Sequence, residues 1–143
     1  MPRPSCGSST GPGGPSVAEV LAARRREREG LLDLARAYVE RLQGRVPVRA
    51  AVVVGSVARG DFNLWSDVDV VVVADRLPER APDRSAVLVA DAPPRVQPVG
   101  FLPGEFRAAW RKGNPLAREA ADGMLLVGKE YLKALLAADH PSP

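Results

Sequence analysis

Between residues 52 and 73 the chain reads VVVGSVARGDFNLWSDVDVVVV. Asp67 and Asp69 stand two apart at the mouth of an apolar run. In an extended strand such positions share a face, so both carboxylates project together. Carboxylates held that close repel each other unless a cation lies between them. Mg2+ or Mn2+ suits the role, because a hard divalent ion is held by one or two carboxylates together with substrate phosphates. Gly55 and Ser56 directly follow the other apolar run. A glycine there lets the backbone approach a phosphate, and the following N–H groups at a helix start can donate to it. Ser56 adds a hydroxyl, and Arg59 adds a planar fork for phosphate oxygens. Together these residues suit a metal-bound triphosphate.

Each part alone has a plainer reading. Gly-Ser after a strand is a common turn, and Asp-x-Asp at a strand mouth also occurs as a solvated loop end. A single arginine is usually a surface residue, and Phe62 and Trp65 read as packing residues, with Trp65 able to stack on a base. The joint spacing between two apolar strands gives the combination its weight.

Those strands must bring the turn and the aspartates to one end of a sheet. Residues 48–54 (VRAAVVV) and 68–73 (VDVVVV) are short, β-branched runs, the first bounded by Pro47 and Gly55. Residues 95–101 predict a third strand, which Pro98 confines to a sheet edge. Met124–Val127 is a further short apolar piece. Ahead of the strands, Ser16 and Glu19 have the spacing of a capping box. Val17, Val20, Leu21, Leu31, Leu34, Ala35, Tyr38 and Leu42 then recur at helical intervals, with the charged run 24–29 as a solvated face. Gly44 and Pro47 close that helix. Residues 76–86 are rich in proline and charge and weakly patterned. Residues 103–111 and 115–121 predict helices with proline near the first turn, and 128–138 a last one. The alternation defines an α/β protein. The expected organisation is a disordered Gly/Pro/Ser tail over 1–15, one domain over 16–138 with a small mixed sheet flanked by helices, and a short tail over 139–143.

Gly55-Ser56-Val-Ala-Arg-Gly60 followed by Ser66-Asp67-Val-Asp69 resembles the signature of the minimal nucleotidyltransferases, within the DNA polymerase β-like nucleotidyltransferase superfamily. Residues 95–106 and Asn114-Pro115-Leu116 resemble the later part of small family members. The resemblance implies the nucleotidyltransferase fold and a two-metal reaction in which a hydroxyl attacks the α-phosphorus of a nucleoside triphosphate, ATP first among them, and pyrophosphate departs. It implies that Asp67 and Asp69 hold Mg2+ and act in catalysis. Gly55, Ser56 and Arg59 would bind the phosphates, and Ser66 would support the aspartate turn. Many small proteins of this kind resemble the antitoxin halves of two-gene modules, so a HEPN-like toxin protein is an expected partner and acceptor.

The chain departs from the family pattern at one position. The family supplies a third carboxylate from the next strand, and the residue expected there is Gln97. An amide has no negative charge and cannot act as a base near neutral pH, although its oxygen can still ligate. Asp91, before a Pro-Pro pair, and Glu105, in an expected helix, are the nearest substitutes in sequence. The balance favours a Mg2+-dependent nucleotidyltransferase. The alternative is a catalytically degenerate protein of the same fold that binds a partner, antitoxin-like.

Bulk properties exclude other classes. At 143 residues with 45% hydrophobic and 26% charged residues, the composition is that of one globular domain. A net charge of +3 suits an anionic ligand, but the arginines gather on no recognisable face, and nucleic-acid binding is not expected. Cys6 is the only cysteine, which leaves no disulfide framework or cysteine metal cluster. The lone histidine, His140, lies three residues from the end, away from any expected core. Neither a signal segment nor an 18-residue apolar run occurs, so a cytoplasmic protein without membrane association is expected.

Overall fold

The two valine runs form the centre of the sheet. In the computed structural model, which describes residues 14–62 and 66–137, β1 (Val48–Val54) pairs antiparallel with β2 (Val68–Ala74). Every residue from Ala50 to Val54 is buried, and so is every residue of β2 except Asp69. Strands covered on both faces read as continuous apolar runs, which accounts for the unbroken valines. β3 (Val96–Phe101) runs parallel to β2, and β4 (Met124–Val127) runs antiparallel to β1, giving the order β3-β2-β1-β4. Pro98 lies on an edge strand, as expected of a residue with no N–H to donate.

Among the described residues six helices complete the order: α1 (Val17–Gln43), α2 (Gly55–Arg59), α3 (Ala81–Val89), α4 (Pro103–Arg111), α5 (Pro115–Asp122) and α6 (Lys129–Ala137). The chain divides into two compact units, one closing at Gly30 and the other opening at Leu31. In the first unit the capping box is formed in both directions. The Ser16 N–H donates to Glu19 Oε1, and the Glu19 N–H donates to Ser16 Oγ, each at 3.1 Å. Hydrogen bonding from Ser16, first from its backbone N–H and then from its side chain, holds the Glu19 carboxyl below its usual range.

In the second unit, strand alternation sorts the core into two halves. Ala51, Val53, Val68, Val70 and Val72 face α1 residues Leu31, Leu32, Ala35, Tyr38, Val39 and Leu42, together with Leu88 of α3. Ala50, Val52, Val54, Val71 and Val73 face Phe106, Ala117, Ala120 and Leu132 of α4, α5 and α6. The expected α/β class, with a small mixed sheet flanked by helices, is the one observed. Two expectations change in detail. Leu34 is 37% exposed, Val17, Val20 and Leu21 are exposed as well, and Leu32 and Val39 take the buried face instead. Part of the weakly patterned stretch 76–86 belongs to α3, which has Pro82 in its first turn and only Leu88 buried, so periodicity could not reveal it. The expected tails, except residues 14 and 15, lie outside the described residues, as does Trp65. Among the described residues no helix is long and apolar enough to cross a membrane.

α3 is tied to α1 by a buried bond: Tyr38 Oη donates to the Leu88 carbonyl at 2.8 Å. Burial, aided by Asp91, pushes the phenol up, so it stays protonated and remains a donor. Tyr38→Phe leaves that carbonyl unsatisfied and is expected to cost about 1–3 kcal/mol. A urea denaturation midpoint unchanged from wild type would contradict this.

Candidate nucleotide and metal site

The end of β1, the start of β2 and the start of β3 meet at one edge of the sheet. Val54 pairs with Asp69, and Asp69 pairs with Gln97, so three strands present one row. Gly55 continues directly from Val54 into the short α2. Its φ of +76° lies in the left-handed region that glycine adopts freely. An ideal Cβ there would lie 2.7 Å from Asp69 Oδ2. Glycine is therefore required twice, by the backbone turn and by the carboxylate against it. At the other end of α2, the Gly60 N–H donates to the Ser56 carbonyl at 2.8 Å and closes the helix.

Asp69 is the partly buried member of the aspartate pair, and Asp67 is exposed. Burial raises the Asp69 carboxyl first, then the charges of Asp67 and Glu119, against the opposing pull of Arg59. A cation at this point would counter the repulsion from Asp67 and Glu119 and favour the charged carboxylate. The carbonyl of Ser66, the residue before the pair, accepts from Arg95 Nη2 at 2.5 Å. That contact ties the approach to Asp67 back to the start of β3.

An open cavity of about 370 Å³ adjoins Gly55 and is lined also by Val54, Ala58, Arg59, Arg118, Glu119 and Asp122. Arg59 Nη1 donates to Glu119 Oε1 at 2.8 Å across it. α5 comes this close to β1 because Gly123 follows it: a Cβ there would meet the Val53 carbonyl at 2.5 Å. A second cleft of about 290 Å³ is lined by Leu125, Lys129, Leu132, Lys133 and Leu136 and includes none of the expected site residues.

Among the described residues no three His, Cys, Asp or Glu side chains form a cage for a metal ion. A pair of carboxylates, one exposed and one partly buried, suits an ion that takes its remaining ligands from phosphates and water. The substitutes for a third carboxylate are engaged elsewhere. Asp91 pairs with Arg45 at 2.7 Å. Glu105 pairs with Arg84 at 2.7 Å and accepts from the Leu102 N–H at 2.8 Å. The carboxylate missed in the sequence is Glu119. Its helix was expected, and Ala117 and Ala120 mark the buried face, but which strand end that face covers is set by tertiary packing.

Comparison with known proteins shows the family and the fold. The nucleotidyltransferase domain family matches residues 35–123. The chain belongs to that family, whose members transfer a nucleoside monophosphate from a triphosphate substrate and generally use a divalent metal. A crystal structure of a Sulfolobus solfataricus protein described as a nucleotidyltransferase is similar at a TM-score of 0.54 and 25% identity, covering 66% of this chain and 82% of that one. No match was found among curated proteins.

Proposed function

We propose that the protein is a Mg2+-dependent nucleotidyltransferase acting on ATP or another nucleoside triphosphate in the cytoplasm. The observation that carries this reading is the packing of Asp69 against Gly55, where only the absence of a side chain leaves room for the carboxylate. Asp67 and Asp69 would hold the metal, whose chemistry is to stabilise charge on the attacking and leaving oxygens. The donor set fits: two carboxylates, one of them made unfavourable by burial and neighbouring negative charge, next to a turn open to phosphates. Gly55 and Ser56 bind the β- and γ-phosphates, Arg59 adds its guanidinium, and Ser66 supports the aspartate turn. In the reaction an acceptor hydroxyl oxygen bonds to the α-phosphorus, the bond to the β-phosphate oxygen breaks, and pyrophosphate leaves. The acceptor's proton finds no carboxylate at Gln97 and passes to water. The acceptor hydroxyl would lie on a partner, and a small helical HEPN-like protein, the partner that the sequence resemblance implies, fits that role.

A second reading has its own observation. Gln97 is the Cα partner of Asp69, at the position where a third carboxylate would complete the site. On that reading the protein is catalytically degenerate and binds its partner, antitoxin-like, with nucleotide as a structural ligand. Calorimetry and labelling separate the two. ATP is expected to bind with Mg2+ or Mn2+ and not with excess chelator; equal binding in both would refute the metal site. Incubation with α-labelled nucleotide and the co-expressed partner labels the partner if the enzyme turns over. Binding without label favours the degenerate reading.

A further inference from the structure

The ion pair between Arg59 and Glu119 joins residues far apart in sequence, one from α2 and one from α5. Both line the cavity beside Gly55. Their side chains are 56% and 42% exposed, and a pair so open to solvent contributes little to folding stability. Its consequence is geometric. A long arginine side chain loses much rotamer freedom when it grips a ligand, and one already held has less to lose. Arg59 is held at two points: Nη1 donates to Glu119 at 2.8 Å, and Nε lies 3.5 Å from Asp61. A guanidinium has five N–H donors, so others remain for phosphate oxygens.

We infer that Glu119 is a positioning residue for the triphosphate, anchoring Arg59 from α5 so that the guanidinium meets phosphate oxygens beside the Gly55-Ser56 turn. The inference rests on the nucleotide site proposed above. Electrostatics alone predicts the opposite sign. A carboxylate next to a phosphate site repels the ligand, so removing its charge should tighten binding unless the carboxylate acts through the arginine.

The test is a double-mutant cycle read by calorimetry with magnesium tripolyphosphate, which makes the result independent of base preference. Wild type, Glu119→Gln, Arg59→Ala and the double variant are compared, each with its thermal unfolding midpoint. Glu119→Gln is expected to bind about five- to tenfold more weakly than wild type, with its midpoint within a degree or so. In the Arg59→Ala background the same change should have no weakening effect, because the anchor then has nothing to hold. Unchanged or tighter binding by Glu119→Gln, with wild type binding normally, overturns the inference and leaves the nucleotide site standing. A loss that persists without Arg59 overturns it too, since Glu119 would then act by its own charge. A large fall in midpoint would assign Glu119 to the fold and overturn the inference in the same way. Failure of wild type to bind magnesium tripolyphosphate removes the site and the inference together.

Discussion

Asp69→Asn is expected to weaken binding of ATP with Mg2+ on the order of a hundredfold or more, while the ligand-free protein becomes slightly more stable at neutral pH. The two effects have one cause. Asp69 is partly buried, and burial, Asp67 and Glu119 all raise its carboxyl, with only Arg59 opposing. A carboxyl raised on folding binds its proton more tightly in the native state than in the unfolded chain. Its favourable contribution is present in acid and is lost as pH rises from the ordinary carboxylate range through the raised native value. At neutral pH the charged Asp69 is therefore a burden on the ligand-free fold. Asparagine keeps the shape and removes the charge. A divalent ion would offset that burden, because its positive charge counters the repulsion around the ionised oxygens. Thermal unfolding across pH and calorimetry with ATP and Mg2+ measure both halves. Undiminished binding by the variant would remove Asp69 from the metal site. An Asp69→Asn midpoint below wild type at neutral pH would contradict the electrostatic account.

The division between local and tertiary effects explains what the sequence reveals and what it conceals. The valine runs, the Gly-Ser turn and the aspartates are local signals. Strand parity puts two carboxylates on one face, and a glycine after a strand marks a tight turn. The antiparallel pairing of Val54 with Asp69 then brings both features to the same sheet edge. Glu119 has no such signal. It becomes part of the site because α5 packs its alanines on β1 and Gly123 lets the helix end approach the Val53 carbonyl. α3 is hidden for a related reason: a helix with one buried leucine leaves no periodic stripe. Asp91 and Glu105 count as spare carboxylates only in the absence of their arginine partners, and those arginines come from distant parts of the chain.

Gln97→Asp is expected to raise nucleotidyl transfer to a hydroxyl acceptor on the order of a hundredfold, the usual scale of a positioned general base. The register is the reason to choose this residue. β2 and β3 run parallel with Asp69 beside Gln97, and adjacent strands lie about 4.8 Å apart. In-register parallel neighbours share a face, so a carboxylate at position 97 would join Asp69 on the same side of the sheet. Gln97 is exposed and β3 is an edge strand, so the substitution disturbs no packing. It does add a third negative charge, and like charges across neighbouring strands cost roughly 0.2–1 kcal/mol. Ligand-free Gln97→Asp should therefore melt slightly below wild type, and Mg2+ should recover the difference. Val99→Asp is the control, because it puts a new carboxylate on the same face two residues further from the row. Rates of labelled transfer decide the matter. Equal gains from both variants would mean that added charge, not position, is responsible. No gain from Gln97→Asp in a wild type that already turns over would show that the site needs no third carboxylate. No gain in a wild type that is inert would place the missing chemistry somewhere other than β3.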